Sequence, residues 1–538
     1  MIAVKIECGC GQRYAFDVEP VGHAMARPVY CPVCGADGTT AANQVIANSL
    51  IPQPSALRFQ TAASSAHPTT LTRFPGNGTR SPAARTRNGQ THGRKWIGRV
   101  IGASMLLLLG LASLGYVQRS RIHREASAPR VAGFPQTLSE LNAWYVEPPA
   151  GQNAATIYLQ AFNALQIGNG SKVPLLGKGT MPAPTAALPS AEKSAMTAVL
   201  RANSQALLLL AQGKNYEESR YPVDFTRGFE AVFPHLPKIR SAALLLELAS
   251  VLHGEAHQGR EAANDVLAVL ALGRSLAHEP SLGSQSVRVA SISIAMASWE
   301  QTLNRTEVPK DSLTDVIQAF RKLEACEAHG DGFDRGLAAE RVNWIALLEN
   351  PTKLMEALTV PGVTIPDEER EQTFARLQKG DALKTEQAQL EQVFTQFMDA
   401  RNQSFPGRLK ADECIQQQMN EAAARKLTVL GVLLTSLAGQ SAKEAGSLAR
   451  LRLGMVSAAL EQFRMDHGAY PDALSSLVPE YLPGPVLDPF DGEPIRYRKD
   501  ETGIILRSAG LQPNDNNSVQ KRAQNEKEIL FAIRRHAS

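Results

Sequence analysis

Residues 241–278, SAALLLELASVLHGEAHQGREAANDVLAVLALGRSLAH, decide the fold class of this chain. In the first half, Leu244, Leu245, Leu248, Val251 and Leu252 recur at spacings of three and four; in the second, Val266, Val269, Leu272 and Leu276 do the same. That is the period of a helix buried on one face, not the alternation of a strand. Gly259 falls between the two runs and marks a short turn, so the segment reads as an antiparallel helix hairpin. A third helix is expected after Pro280, because a proline ring suits a first turn. Helical periodicity continues over residues 310–328, 337–348, 368–398 and 413–437. No thirty-four-residue repeat links these runs, so residues 131–440 are expected to form a helical domain and not a regular solenoid. The apolar run 427–437 is too short to span a bilayer and reads as core.

Outward toward the N-terminus the character changes. Between Asp37 and Glu125 there is no acidic residue, while Arg58, Arg73, Arg80, Arg85, Arg87, Arg94, Lys95, Arg99, Arg119, Arg121 and Arg124 fall in that stretch. Over the whole chain the net charge is only +4, too little to argue for a nucleic-acid protein. Within this basic region, residues 100–117, VIGASMLLLLGLASLGYV, carry no charge. Trp96 and Ile97 extend that run past a snorkelling Arg99, and Trp96 and Tyr116 sit where interfacial aromatics belong. We therefore expect one transmembrane helix over 96–118, with the lipid bilayer as a partner. Arginines flank both ends, with a slight excess on the N-terminal side, which favours a cytoplasmic N-terminus and an external, periplasmic C-terminal part in a bacterial inner membrane. Met1 to Ala15 holds Lys5, Glu7 and Arg13 and lacks the apolar core of a signal peptide. Gly98 and Gly102 form a G-x-x-x-G at the membrane entry, so a homo-oligomer is one expectation. Residues 39–95 are rich in Ala, Thr, Ser, Pro, Asn and Arg and are expected to be a disordered basic linker.

Four of the six cysteines lie in the first 34 residues, as Cys8-Gly9-Cys10 and Cys31-Pro32-Val33-Cys34. Two close thiol pairs on two turns can close tetrahedrally on Zn²⁺, and the intervening RYAFDV supplies a strand and a return. A unit of residues 1–38 is too small to fold on its apolar surface alone, and metal binding would supply most of its folding free energy. Four thiolates leave no open position, so Cys8, Cys10, Cys31 and Cys34 are expected to hold a structural zinc, not a catalytic one. The alternative is a disulfide-bonded or unligated set. Cys326 and Cys414 stand alone; they either pair with each other or remain free thiols.

Two ends of the chain resemble known families. CGCGQRYAFDVEPVGHAMARPVYCPVCG, residues 8–35, resembles the short zinc ribbons at the N-termini of uncharacterised membrane-anchored bacterial proteins; the resemblance implies a docking or regulatory head and no activity. LRLGMVSAALEQFRMDHGAYPDALSSLVPEYLPGPVLDPFDGEPIRYR, residues 451–498, is similar to the globular part of the type II secretion major pseudopilin. Gly468, Tyr470, Pro471, Leu474, Leu477, Asp488, Pro489, Phe490, Gly492 and Pro494 occupy matching positions. Residues 441–538 are accordingly expected to form a pilin-like α+β domain with a helix over 442–467 and strands after the Asp491-Gly492 turn. The prepilin cleavage motif is absent, so an assembling pilin is not implied. That family often binds calcium through carboxylates; here Asp488, Asp491 and Asp515 are the acids at hand, and the residues themselves read as turn formers. NAATIYLQAFNAL, RYPVDFTRG, PHLPKIRSAALLLELA and LAHEPSLGSQSVRVA resemble uncharacterised bacterial helical domains of the same layout.

His253-Gly-Glu-Ala-His257 sets two imidazoles four residues apart, as a metal pair on a helix requires. Glu255 stands two residues after the first histidine, not immediately after it, which departs from the zincin pattern. The segment reads as a helix end where His meets the C-terminal dipole. No G-x-S-x-G, Walker loop or dinucleotide fingerprint occurs. The fold expected is thus mainly α, with a small N-terminal β zinc ribbon, one transmembrane helix and a C-terminal α+β domain. The expected function is a membrane-anchored, non-enzymatic envelope protein with an unidentified protein partner. The alternative is a periplasmic hydrolase built from scattered residues such as Asp224, His235, Glu247 and Glu279, with His235 otherwise shaping a connection between helices. Nucleic acid is not expected as a partner, although contact through the ribbon and basic linker would show itself as steep salt dependence.

Overall fold

Leucines and alanines at helical spacing bury one face only by packing against another helix, and that requirement dictates the architecture. The computed structural model describes residues 2–7, 13–18, 133–166, 173–177, 179, 181–350, 352–354, 372, 375, 381–424, 428–510 and 528–534. At the N-terminus, β1 (Ile2–Glu7) and β2 (Arg13–Val18) form an antiparallel hairpin in the register Ile2↔Val18 to Glu7↔Arg13. The four cysteines, the linker 39–95 and the expected span 96–118 lie outside the described residues. Among the described residues no helix is long and apolar enough to cross a membrane.

From residue 133 onward the chain is mainly helical. Four shorter helices come first: α1 (Leu138–Trp144), α2 (Ala154–Ala164), α3 (Ser190–Ala202) and α4 (Ser204–Gly213). The central array follows: α5 (His235–Glu255), α6 (Gly259–Arg274), α7 (Leu282–Arg305), α8 (Lys310–His329) and α9 (Asp331–Leu348). Then come α10 (Asp381–Arg401), α11 (Lys410–Ala424), α12 (Thr428–Leu437) and α13 (Gln440–His467). The expected hairpin is α5–α6, and its third helix α7 starts after Pro280, capped by Ser281. The segment read as one helix over 413–437 is two.

Local chemistry explains the boundaries. Thr137 caps α1 by accepting from the Glu140 amide at 3.2 Å, while the Glu140 carboxylate accepts from the Gln136 amide at 2.7 Å. Gly330, at φ +79°, ends α8 and Gly468, at φ +78°, ends α13, both in the left-handed region that glycine enters without strain. Helix α5 begins six residues earlier than the leucine pattern suggests. His235, expected to shape a connection between helices, is instead the first residue of α5; the first turn of a helix has no partner for its amides, so Pro237 costs nothing there. Gly259 is not in a turn; it is the first residue of α6, and a Cβ on it would lie 2.0 Å from the Glu307 carbonyl oxygen.

Helices α5 to α8 and α13 enclose the main core, with Trp299 and Phe320 fully buried at its centre. The Trp299 indole donates to Ser457 Oγ at 3.0 Å, tying α7 to α13. A second core, with Phe333, Phe394 and Phe397, joins α9 to α10, α11 and α12. After α13 the chain makes a three-stranded antiparallel meander, β3 (Arg496–Asp500), β4 (Gly503–Ser508) and β5 (Ile529–Arg534). Ile504 and Leu506 of β4 and Phe531 and Ile533 of β5 alternate inward and join the main core, which therefore runs unbroken across residue 440. The outer edge of β5 is covered: Ala532 N donates to Glu300 Oε1 at 2.8 Å, and Arg534 N to Asn304 Oδ1 at 2.7 Å, both from α7.

Candidate functional site

Of the four residues suggested for a catalytic constellation, the fold brings two together. His235 opens α5, and Glu279 sits in the link between α6 and α7, which wraps back under it. His235 Nε2 lies 3.0 Å from Glu279 Oε1. Ser284 Oγ donates to the same oxygen at 2.5 Å, and the Tyr145 hydroxyl donates to Oε2 at 3.1 Å. The Tyr221 amide donates to the Tyr145 hydroxyl at 2.9 Å. The Tyr221 ring stacks on His235 with centroids 4.1 Å apart, and its hydroxyl meets Ser275 Oγ at 2.9 Å. Glu279 and Tyr221 have no exposure, Tyr145 is 2% exposed and His235 3%. Burial, with the Glu279 charge beside it, pushes the Tyr145 hydroxyl far above its usual range. This is a buried carboxylate held by three side-chain groups that between them engage both oxygens, and each member of the cluster is at most 3% exposed.

The other two residues lie apart from it. Asp224 is exposed and caps the 3₁₀ turn Phe225–Glu230 through the Thr226 amide at 3.0 Å. Glu247 is buried on α5, and burial alone pushes its carboxyl up to about 7. A carboxyl that is half-protonated near pH 7 when folded and near pH 4.5 when unfolded makes the folded chain the stronger proton binder between those values. Folding stability from this group therefore falls as the pH rises from about 4.5 to about 7 and stays low above it. Glu247→Gln is expected to stabilise the protein at pH 8 by on the order of 3 kcal/mol and to do nothing near pH 4. Thermal unfolding of the two proteins at both pH values measures this; an equal midpoint difference at the two pH values would sink it.

The paired histidines divide. His253, in the last turn of α5, has Nδ1 2.7 Å from Asp265 Oδ2 of α6, and that hydrogen bond raises its pKa. His257 lies past the helix end at φ +56°, off the face that carries His253. Among the described residues no group of three or more metal-ligating side chains converges. In the C-terminal turn, Asp488 is 1% exposed and accepts from the Phe490 and Ala509 amides at 3.1 and 2.7 Å, from Ser508 Oγ at 3.0 Å and from Arg496 at 2.6 Å. Asp491 pairs with the same arginine. Their oxygens are taken by donors, as turn-forming carboxylates require; Asp515 lies outside the described residues. Cys326 and Cys414 are free, half-buried thiols.

The open concave surfaces lie elsewhere. A cleft of about 410 Å³ runs between α10, α11 and α12, bordered by Gln389, Gln392, Gln396, Gln417, Gln418 and Glu421 over an aliphatic floor. A second, of about 280 Å³, lies between α6 and α8, with Lys214, Asn264 and Arg274 on its rim and Leu270 and Leu323 below. The glutamines and aliphatic side chains bind by hydrogen bonding and packing; Glu421 and Cys414 are the titratable groups in the lining of the first cleft, and burial pushes the Cys414 thiol up. Sequence reading missed the glutamines, because they sit on separate turns of two helices and only the crossing of α10 with α11 assembles them. No protein-family model matches the sequence, no curated protein matches it, and no solved structure matches its fold.

Proposed function

We propose that the chain is a membrane-anchored, non-enzymatic envelope protein that holds a protein partner through its helical domain. Its four N-terminal thiols hold a structural zinc, and one apolar helix over 96–118 anchors it with the zinc head in the cytoplasm. The observation that carries the non-enzymatic part is the contrast between the buried His235–Glu279 cluster and the open, glutamine-lined cleft. A carboxylate–histidine pair is built to react only where a substrate can reach it. Amide side chains in an open cleft suit recognition, since they donate and accept without net charge. The anchor and the zinc rest on the sequence, on the uncharged run 100–117 and on the spacing of Cys8, Cys10, Cys31 and Cys34.

The test is site-specific photo-crosslinking in membranes of cells that make the full chain. Benzoylphenylalanine at Gln392 or Gln417 is expected to give a discrete adduct of higher mass, and the same probe at the exposed Arg201 of α3 is expected to give none. If both cleft positions stay uncrosslinked while the protein is folded and membrane-bound, the scaffold reading fails. Metal analysis of the same preparation is expected to find one zinc per chain, lost in Cys8→Ser with Cys31→Ser. A reporter fused after Thr39 that is active only outside the cytoplasm would reverse the orientation and make a disulfide-bonded head the better reading.

A further inference from the structure

The aromatic side chains of the helical domain do not all point into its cores. Phe229, in the turn Phe225–Glu230, is 46% exposed, and Val232 just beyond it is 62% exposed. Phe229 stands edge-on to Trp344 of α9, with centroids 4.9 Å apart and planes at 70°, so it is held outward by a packed partner. The turn is fastened at its start. Phe225 N donates to Asn142 Oδ1 of α1 at 3.1 Å, and Gly228, at φ +58°, lies in the left-handed region of φ in the middle of the turn. On α1, half-buried Trp144 meets Phe134 edge to face at 5.9 Å and carries the Arg335 guanidinium 4.3 Å above its ring. Trp344 is itself 8% exposed in the second core, and Trp144 and Phe134 pack against the cores, so Phe229 and Val232 are the apolar side chains this turn presents outward. Arg227, Lys238 and Arg240, on and after that turn, are exposed, as are Asp224, which caps the turn, and Glu230, which pairs with Lys353.

We propose that this patch docks on the bilayer surface, with Phe229 and Val232 entering the boundary between headgroups and acyl chains. The proposal rests on the membrane-anchor reading above. An exposed phenylalanine and valine beside Arg227, Lys238 and Arg240 suit an interfacial surface: apolar side chains at the headgroup boundary, cations toward anionic lipid. The length of chain argues for the bilayer over a soluble partner. Only residues 119–132 separate the end of the expected span from Gly133, and Phe134 of the patch follows at once. Fourteen residues reach at most ~50 Å when extended and about 20 Å as a coil. Such a tether holds the patch near the membrane at an effective concentration in the millimolar range. Two exposed apolar side chains are far too few for a stable protein interface. They suffice for a contact that is already intramolecular. The sequence 119–132 carries Arg119, Arg121, Arg124 and Arg130 against the single acid Glu125, a balance that favours anionic headgroups.

The test uses the full chain reconstituted in vesicles of phosphatidylethanolamine and phosphatidylglycerol brominated high on the acyl chains. Phe229→Trp places a reporter in the patch, and Leu530→Trp, at an exposed position of β5, serves as the control. Docking to a depth of ~5–10 Å is expected to quench about half of the emission added at Phe229→Trp and little of that at Leu530→Trp. Adding Val232→Asp to Phe229→Trp, at a site too exposed to affect folding, is expected to restore that emission. Alkaline carbonate extraction tests the anchor separately. A protein that resists carbonate while Phe229→Trp stays unquenched overturns the docking and leaves the anchor standing. A protein released by carbonate overturns both.

Discussion

Glu444→Ala is expected to cost this protein more stability than any other single polar substitution considered, about 3–5 kcal/mol. Glu444 is the fifth residue of α13, with no exposure, between two arginines. Its Oε2 accepts from Arg401 Nη2 at 2.9 Å and its Oε1 from Arg408 Nη1 at 2.8 Å. Arg401 is 2% exposed and Arg408 5%. Arg408 also donates from Nε to the Arg401 carbonyl at 2.9 Å and from Nη2 to the Ala328 carbonyl at 3.0 Å, so one carboxylate gathers the ends of α8 and α10 onto α13. The network is closely fitted: a Cβ on Gly330 would lie 2.8 Å from Arg408 Nη1. Removing the carboxylate leaves two guanidinium ions away from water, with Asp334, 2.8 Å from Arg401, as the one remaining ion-pair partner within 4 Å among the described residues. The penalty is that of the unpaired charges and not of a lost attraction, because a buried pair barely recovers its own desolvation. Two variants separate these. Glu444→Ala alone should lower the unfolding midpoint sharply, and Glu444→Leu with Arg401→Met and Arg408→Leu should recover most of it. A single variant that unfolds within about 1 kcal/mol of the parent would mean that water reaches the arginines.

Glu279→Ala should come next, at about 3–4 kcal/mol, because it leaves His235, Ser284 and Tyr145 without the acceptor they share. Each buried orphan costs of order 1–3 kcal/mol, and the three are not additive because the cluster can relax. Glu279→Gln keeps one oxygen and should cost roughly half as much. A double-mutant cycle with His235→Ala measures the coupling, expected near 1–3 kcal/mol for groups in direct contact. This result also bears on the choice between scaffold and hydrolase. A structural cluster predicts a large stability loss and strong coupling. A reactive pair held in readiness predicts a variant of nearly parental stability, since catalytic groups are commonly strained or underpacked. Parental stability in Glu279→Ala would therefore return His235 and Glu279 to the list of candidate catalytic groups.

The helices were legible in the sequence because a buried stripe must repeat with the helical period, and α5, α6 and α8 write that period in leucine, valine and alanine with few interruptions. The three C-terminal strands were legible for the corresponding reason: alternation with a period of two, opened by a glycine turn. Boundaries set by the helix terminus were harder. The early start of α5 at His235 follows from the missing hydrogen-bond partners of a first turn, which excuse Pro237, and residue type alone does not announce it. The charged core was not legible at all. Glu279 is singled out beside His235 but not as a buried acceptor, and Glu444, Arg401 and Arg408 look in the sequence like any surface residues on helices and links. Their burial is decided by which helix ends converge, over separations of 44 residues for His235 and Glu279 and 43 for Arg401 and Glu444. A local pattern specifies how each segment folds, because the backbone period is a property of neighbours a few residues apart. Which carboxylate meets which cation, and whether water can follow, is settled only when distant segments pack, because desolvation is a property of the assembled interior.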